Sequence, residues 1–269
     1  MNDVNPYRQA FKVFGYDKEF TEVRLLNTSC GTVSGIFSAD DAGADALERE
    51  ISRLNLEQYT VYQVLNPLSG EYVDGKRCDT LIPHARGTAK DADIQRLHYI
   101  MTDFDPVRPA QTSSTEAEKK AAMDRLLLFL AEMKAEGMLP AAVTDSGNGY
   151  NAYFSIDLPN TPQNVQLIKN YNTICHNKYS DSTVDFDRTV TNPSRLAKLP
   201  GTWAYKGLNT PERPYRQSKI LSYQPTPQPI PKSLLECYIQ KNTALSIPPV
   251  RHNVLSSYAP SGNGQTRTC

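Results

Sequence analysis

The stretch Tyr99-Ile100-Met101-Thr102-Asp103-Phe104-Asp105 constrains the fold of this chain more than any other. It is an apolar run that ends in two aspartates separated by one phenylalanine. Successive side chains of an extended strand point to opposite faces. Asp103 and Asp105 therefore share a face, about 6.5–7 Å apart along the strand, while Phe104 points the other way into a core. Two ionised carboxylates at that spacing repel, and a divalent cation between them removes the penalty. A metal-dependent phosphoryl-transfer site would begin in this way. The same residues would also serve as a plain strand end, because Asp-Pro leads naturally into a turn. The pair needs further motifs before it means chemistry.

With 269 residues, the chain can bury a sizeable core as one large domain or two small ones. Lys+Arg and Asp+Glu both total 29, yet a neutral total does not exclude a nucleic-acid partner if the charges are segregated. Between Arg188 and Lys219 the basic residues Arg188, Arg195, Lys198, Lys206, Arg213, Arg216 and Lys219 meet only Glu212. Such a run is commonly a solvated face; here it follows an acidic motif directly. The five cysteines are scattered, with no Cys-x-x-Cys pair and no zinc-finger spacing, which predicts a reducing compartment. No apolar stretch reaches the length of a membrane span and the start is not signal-like. The expected location is cytoplasmic, with no membrane partner.

Hydrophobic periodicity predicts strands at 22–26, 32–37 and 59–65, and a helix from about 41 to 54 opened by Ser38 and Asp41. Residues 68–90 read as loop. After the aspartate strand, Thr115 and Glu118 form a capping box for a helix to about Glu136, with Met123, Leu126, Leu127, Leu130 and Met133 as its core stripe. Gly137 is a natural stop. A strand over 141–144 and another over 150–156 flank Ser146-Gly147-Asn148-Gly149, a strong hairpin signal. Pro162 opens a helix to about Tyr179. Strands follow at 184–190, 194–199 and 218–223. From Gln224 the composition becomes proline-rich and polar, with a short helix over 232–241. Residues 261–265 read as flexible linker. Residues 1–223 are thus expected to form the folded domain, which the resemblance drawn below makes the catalytic one, and 224–269 a linker-like segment.

Three features now stand in order: the Asp-x-Asp strand end, the Ser-Gly-Asn-Gly turn, and a second acidic strand end, Asp185-Phe186-Asp187, ahead of the basic run. Strands interleaved with helices suggest a mixed sheet packed by helices. Phosphoryl transfer by two metals needs carboxylates around cations about 3.5–4 Å apart, and donors for the triphosphate. Ser146, the glycine-turn amides, Arg195, Lys198 and Lys206 are candidates for that second task.

In these residues the chain resembles a primase-polymerase of the archaeo-eukaryotic primase superfamily, in the branch carried by phages, plasmids and other mobile elements. The likeness rests on Val64-Leu65-Asn66-Pro67, on 100–109, on 113–118, on 145–150 and on 187–202 with Lys206-Gly207 behind. It covers roughly residues 20–223. The resemblance implies an α/β (α+β) fold: a catalytic core with an RNA-recognition-motif-like mixed or antiparallel sheet packed by helices, beside an N-terminal α/β subdomain. It implies primer synthesis and DNA extension on a single-stranded DNA template from nucleoside triphosphates, with Mg²⁺ or Mn²⁺. Carried over by position, Asp103, Asp105 and Asp187 are the metal ligands, with Asp185 the fallback for the third. Ser146, Gly147 and Asn148 would face the nucleotide's phosphates, and Arg195, Lys198 and Lys206 would neutralise triphosphate or template. A helicase, attached beyond the linker or separate, is the family-level partner.

The family's second motif normally ends in a histidine that contacts the nucleotide phosphates. Here that position is Asn151. An asparagine amide cannot become cationic, and losing a charge-assisted bond costs about 1.5–3 kcal/mol of nucleotide binding. A nucleotide- and single-strand-binding replication module without turnover is therefore the alternative to a primase-polymerase. A metal-dependent nuclease is a third reading, opposed by the basic motif on the triphosphate side.

Overall fold

The computed structural model describes residues 5–15 and 18–245. The linker reading at 261–265 lies outside them.

Two antiparallel sheets face each other. The first is built by β1 (Phe20–Thr28), β2 (Gly31–Ser38), β3 (Val61–Val64) and β8 (Leu196–Lys198), in the order β2-β1-β3-β8. Alternation divides its faces. Val23, Leu25, Val33 and Val61 turn to α1 (Pro6–Phe14) and α2 (Asp41–Arg53) and form a core with Phe11, Leu47 and Ile51. Asp40, not Ser38, caps α2: its carboxylate accepts from the amide of Gly43 at 2.8 Å. Helix α1 falls where residues 1–22 carry no clear periodicity. The predicted loop after β3 contains a single turn, α3 (Gly70–Val73).

The second sheet runs β11-β5-β6-β4-β7, from β4 (Arg96–Pro106), β5 (Ala142–Asp145), β6 (Tyr150–Pro159), β7 (Val184–Phe186) and β11 (Lys219–Tyr223). Behind it lie α4 (Glu116–Ala135), α5 (Pro162–Tyr179) and α6 (Lys232–Leu245). Thr115 and Glu118 close the expected capping box on α4. Phe104 of β4 meets Phe129 of α4 and Phe186 of β7 at ring-centroid distances of 5.2 and 5.1 Å. This fully buried trio fixes which face of β4 looks outward, and truncating Phe104 would cost about 3–5 kcal/mol. The core stripe of α4 is rotated from the sequence expectation. Leu126 and Met133 are buried together with Ala122 and Phe129, whereas Leu127 is exposed.

The core does not end at residue 223. Ile230, Leu235 and Tyr238 are buried in the same cluster as Phe104, and the Tyr238 ring packs on Tyr171 of α5. The prolines of 225–231 carry the chain to a docked helix and do not release it as a linker. The remaining strands, β9 (Trp203–Ala204) and β10 (Arg216–Gln217), form a small hairpin.

The decisive crossing is made by β8. It follows β7 of the second sheet yet pairs with β3 of the first, placing Lys198 opposite Tyr62 and Leu196 opposite Val64. Buried Asn66 staples the junction. Its amide donates to the carbonyl of Pro193 at 2.8 Å, and its oxygen accepts from the amides of His98 and Tyr99. The cleft between the sheets is thereby held to one width.

Candidate active site

A cavity of about 210 Å³ opens between the two sheets. Asp103, Asp105 and Asn151 enter it from β4 and β6; Tyr62, Leu196 and Lys198 face them from β3 and β8. Asp187, Ser146, Asn148, Arg195 and Lys206 complete the polar lining. Of the metal and nucleotide ligands expected from the sequence, Gly147 and Asp185 lie off this cavity.

Asp103 stands directly opposite Asn151 in the antiparallel ladder, and the Asn151 amide donates to Asp103 Oδ1 at 2.8 Å. The amide of Asp187 donates to the carbonyl of Asp103 at 2.9 Å, which brings the third carboxylate round the end of β7. Burial, then the charges of Asp105 and Asp187, push the Asp103 carboxyl up to about 8; Asn151 and the Lys206 ammonium oppose that rise. Asp103 thus keeps its proton at neutral pH while the site is without a cation.

Each carboxylate has one oxygen committed to a protein donor. Asp103 Oδ1 takes Asn151, Asp105 Oδ2 takes buried Arg108 at 3.3 Å, and Asp187 Oδ1 takes the amide and hydroxyl of Thr189. The second oxygen of each makes no hydrogen bond to a described residue. Among the described residues, no three acidic, His or Cys side chains are gathered tightly enough to hold a metal as they stand. The donor set itself suits a hard divalent cation, for which carboxylate oxygen is the preferred ligand.

Asp185 shares the strand face of Asp105 and pairs with it in the ladder. It lines an adjoining cavity with Arg108 and Lys206, and it lies 3.5 Å from His176 Nδ1.

The Ser146–Gly149 turn is built as the sequence suggests, but its amides are used differently. Gly147 N donates to Asp145 Oδ1 at 2.7 Å and Gly149 N to Ser146 Oγ at 3.0 Å, so neither is directed at a phosphate. Gly147 serves packing: at φ +92° a side chain there would strike Ala204. Asn148 is buried, and its oxygen accepts from the amide of Ser114 at 2.9 Å. Ser146 keeps its hydroxyl proton for a ligand. Lys198 Nζ donates to the carbonyl of Ser146 at 2.6 Å, and burial, then the charge of Lys206, lower it to about 8. Arg195 is held by Asn192 Oδ1 and the carbonyl of Thr189, at 2.9 and 3.1 Å.

The basic run divides. Arg213 and Arg216 are tied to Glu118 and Glu116 at the start of α4, at 2.8 and 2.6 Å, and act as structural clamps. Only Arg195, Lys198 and Lys206 reach the cavity.

The sequence reading missed Lys119. Its ammonium is buried beneath the turn, 2.6 Å from both oxygens of Asp145 and 4.9 Å from the centre of the Tyr150 ring. Its position on α4 resembles that of any solvated helix lysine, and only the pairing across 26 residues reveals it. Arg108 and Tyr62 escaped notice for the same reason.

No family model matches the sequence, and no curated protein matches it. Among solved structures the chain is similar to primase RepB′, at 14% identity, covering 89% of this chain and 64% of that one, with a TM-score of 0.47. The chain therefore spans less than two thirds of that protein's length. It is similar also to the catalytic domain of primase RepB′ in complex with initiator DNA (15% identity, 89% and 97% coverage, TM-score 0.46). A third similar structure is the polymerase domain of Mycobacterium tuberculosis ligase D in complex with DNA (11% identity, 87% and 88% coverage, TM-score 0.43). No helix among the described residues is long and apolar enough to cross a membrane.

Proposed function

We propose that this protein is a template-directed nucleotidyltransferase, a DNA primase-polymerase of the archaeo-eukaryotic primase type. The observation that carries the reading is the opposition, across one 210 Å³ cavity, of Asp103, Asp105 and Asp187 to Arg195, Lys198 and Lys206. A carboxylate floor facing a basic wall suits a triphosphate whose α-phosphorus must lie beside a cation while its tail is neutralised.

In the reaction, a 3′-hydroxyl oxygen bonds to the α-phosphorus of the incoming nucleotide as the bond to pyrophosphate breaks, and the hydroxyl proton is released to water. Asp103, Asp105 and Asp187 would hold Mg²⁺ or Mn²⁺, which when bound supplies positive charge to the attacking and leaving oxygens. Lys198 and Lys206 compensate the triphosphate charge, and the Ser146 hydroxyl donates to a phosphate oxygen. Arg195, braced by Asn192 and Thr189, presents a fixed guanidinium. Asn151 orients Asp103. The substrates are nucleoside triphosphates and a single-stranded DNA template, and the setting is replication of a mobile element, with a helicase as partner.

One observation favours a second reading. Asn151 spends its amide on Asp103 and offers no cation to a phosphate, which suits a single-strand- and nucleotide-binding module without turnover. Primer-synthesis and extension assays separate the two. The leading reading expects Mn²⁺- or Mg²⁺-dependent incorporation, increased by Asn151→His and abolished by Asp103→Ala. Absence of incorporation by both the native chain and Asn151→His, with nucleotide and DNA binding intact, establishes the silent module instead.

A further inference from the structure

The face of the first sheet that roofs the cavity continues beyond it. Pairing register sets Lys198, Tyr62, Arg24 and Ser34 in one row across β8, β3, β1 and β2, and beside it pairs Leu196 with Val64 and Glu22 with Ile36. Directly opposed residues of an antiparallel ladder project to the same side. Tyr62, Leu196 and Lys198 line the active cavity, so Ser34 and Ile36 lie on that same face, about 10 Å further across at the usual strand spacing.

At that far edge the segment 74–87 straps the free edge of β2, with Ser34 bridging to Ile82 and Ile36 to Cys78. Beside this strap is a second cavity, of about 270 Å³. Ile36 and Ile82 give it an apolar floor, while Lys76, Arg77 and Arg86 stand at its rim. All three basic side chains belong to exposed residues, and none is in a salt bridge with a described residue. Lys76 is held in place with its ammonium 2.9 Å from the centre of the Tyr72 ring. The one acid there, Glu22, is already satisfied by Arg24, the Tyr72 hydroxyl and the amide of Ala89.

The charge is local. A larger cavity of the same subdomain, about 850 Å³, is lined by Glu19, Glu71 and Asp74 without a single Lys or Arg. That surface turns a polyanion away, whereas the strapped cavity attracts one.

We infer that the cavity formed by Ile36, Ile82, Lys76, Arg77 and Arg86 is a second contact for the single-stranded template, at the far edge of the sheet that roofs the active cavity. A base rests on Ile36 and Ile82, and the three cations hold phosphates. The inference rests on the nucleotidyltransferase reading and extends it by locating the template.

The test is fluorescence anisotropy of a labelled single-stranded oligonucleotide, titrated at several salt concentrations, with the native chain and with Lys76→Ala/Arg77→Ala/Arg86→Ala. Each phosphate contact contributes about 0.7 to the slope of log K against log salt for single strands. The triple variant is expected to lose about 2 units of slope, while nucleotide binding in the active cavity stays unchanged. Glu71→Ala/Asp74→Ala, on the acidic cavity, should leave the slope as it was. An unaltered slope in the triple variant overturns the inference. So does displacement of the oligonucleotide from this cavity by a free mononucleotide, which would make it an effector pocket. Loss of slope in a protein that never incorporates nucleotides upholds the contact and refutes the enzymatic reading.

Discussion

Asn151 on β6 stands opposite Asp103 on β4 and gives its side-chain amide to Asp103 Oδ1 at 2.8 Å. The residue that departs from the primase pattern therefore acts on a carboxylate and not on a phosphate. It fixes one oxygen of Asp103 and leaves the other toward the cavity. Partners of this kind commonly change metal affinity by about 10–100-fold when removed. Asn151→Ala should weaken Mn²⁺ binding by that factor in a calorimetric titration, with the fold retained. Equal affinity in the variant would mean that the hydrogen bond orients nothing of consequence.

The height of the Asp103 carboxyl, about 8 against an ordinary 3.8, sets a pH dependence. Between those values the folded protein keeps a proton that the unfolded chain has released. The contribution to stability is therefore complete below about 4, declines as pH rises toward 8, and is gone above it. A cation needs the ionised carboxylate, so Mn²⁺ affinity should climb by up to about tenfold per pH unit below 8 and then level off. Asp103→Asn removes the titration: without a cation it should melt above the native protein at pH 8, and Mn²⁺ should no longer raise its Tm. Persistence of the native pH slope in Asp103→Asn would assign the titration to another group.

The parts of this site that were legible in the sequence are those governed by local rules. Strand alternation put Asp103 and Asp105 on one face, and Asn148-Gly149 announced the hairpin that carries Ser146. The third carboxylate was harder. Asp185 and Asp187 share a parity, and the structure separates them only because β7 stops at Phe186 and the chain bends, sending Asp187 to the amide-carbonyl contact with Asp103. Lys119, Arg108 and Asn66 could not be read at all as site supports, since their meaning lies in partners that the fold brings to them. Helix α6 was legible but its docking was not, because the prolines before it signal loop composition without showing where the loop leads.

Gly149 tests how tightly the hairpin is pressed against the carboxylates. A Cβ at this position would lie 2.4 Å from the carbonyl oxygen of Phe104 and 2.6 Å from Asp105 Oδ1. The carbonyl cannot yield without moving β4, and the Asp105 carboxylate would have to swing away. Gly149→Ala should cost about 1–3 kcal/mol in denaturant unfolding and displace Asp105 enough to reduce nucleotide incorporation at least tenfold. An alanine variant with native stability and turnover would show that the turn stands further off.

The Lys119–Asp145 pair beneath the same hairpin separates stability from function. Both side chains are nearly excluded from water, at 7% and 10% exposure. Lys119→Met leaves a buried carboxylate without its cation and should destabilise the fold by about 3–5 kcal/mol. Adding Asp145→Leu removes the stranded charge and should restore most of the lost Tm. It also removes the acceptor of the Gly147 amide, so the turn loosens and nucleotide affinity should remain low. Lys119→Met with Asp145→Asn keeps an oxygen for that amide while deleting both charges. This pair should recover stability and nucleotide binding together. If the Leu and Asn double variants bind nucleotide equally well, the buried pair supports the core alone and the hairpin does not depend on it.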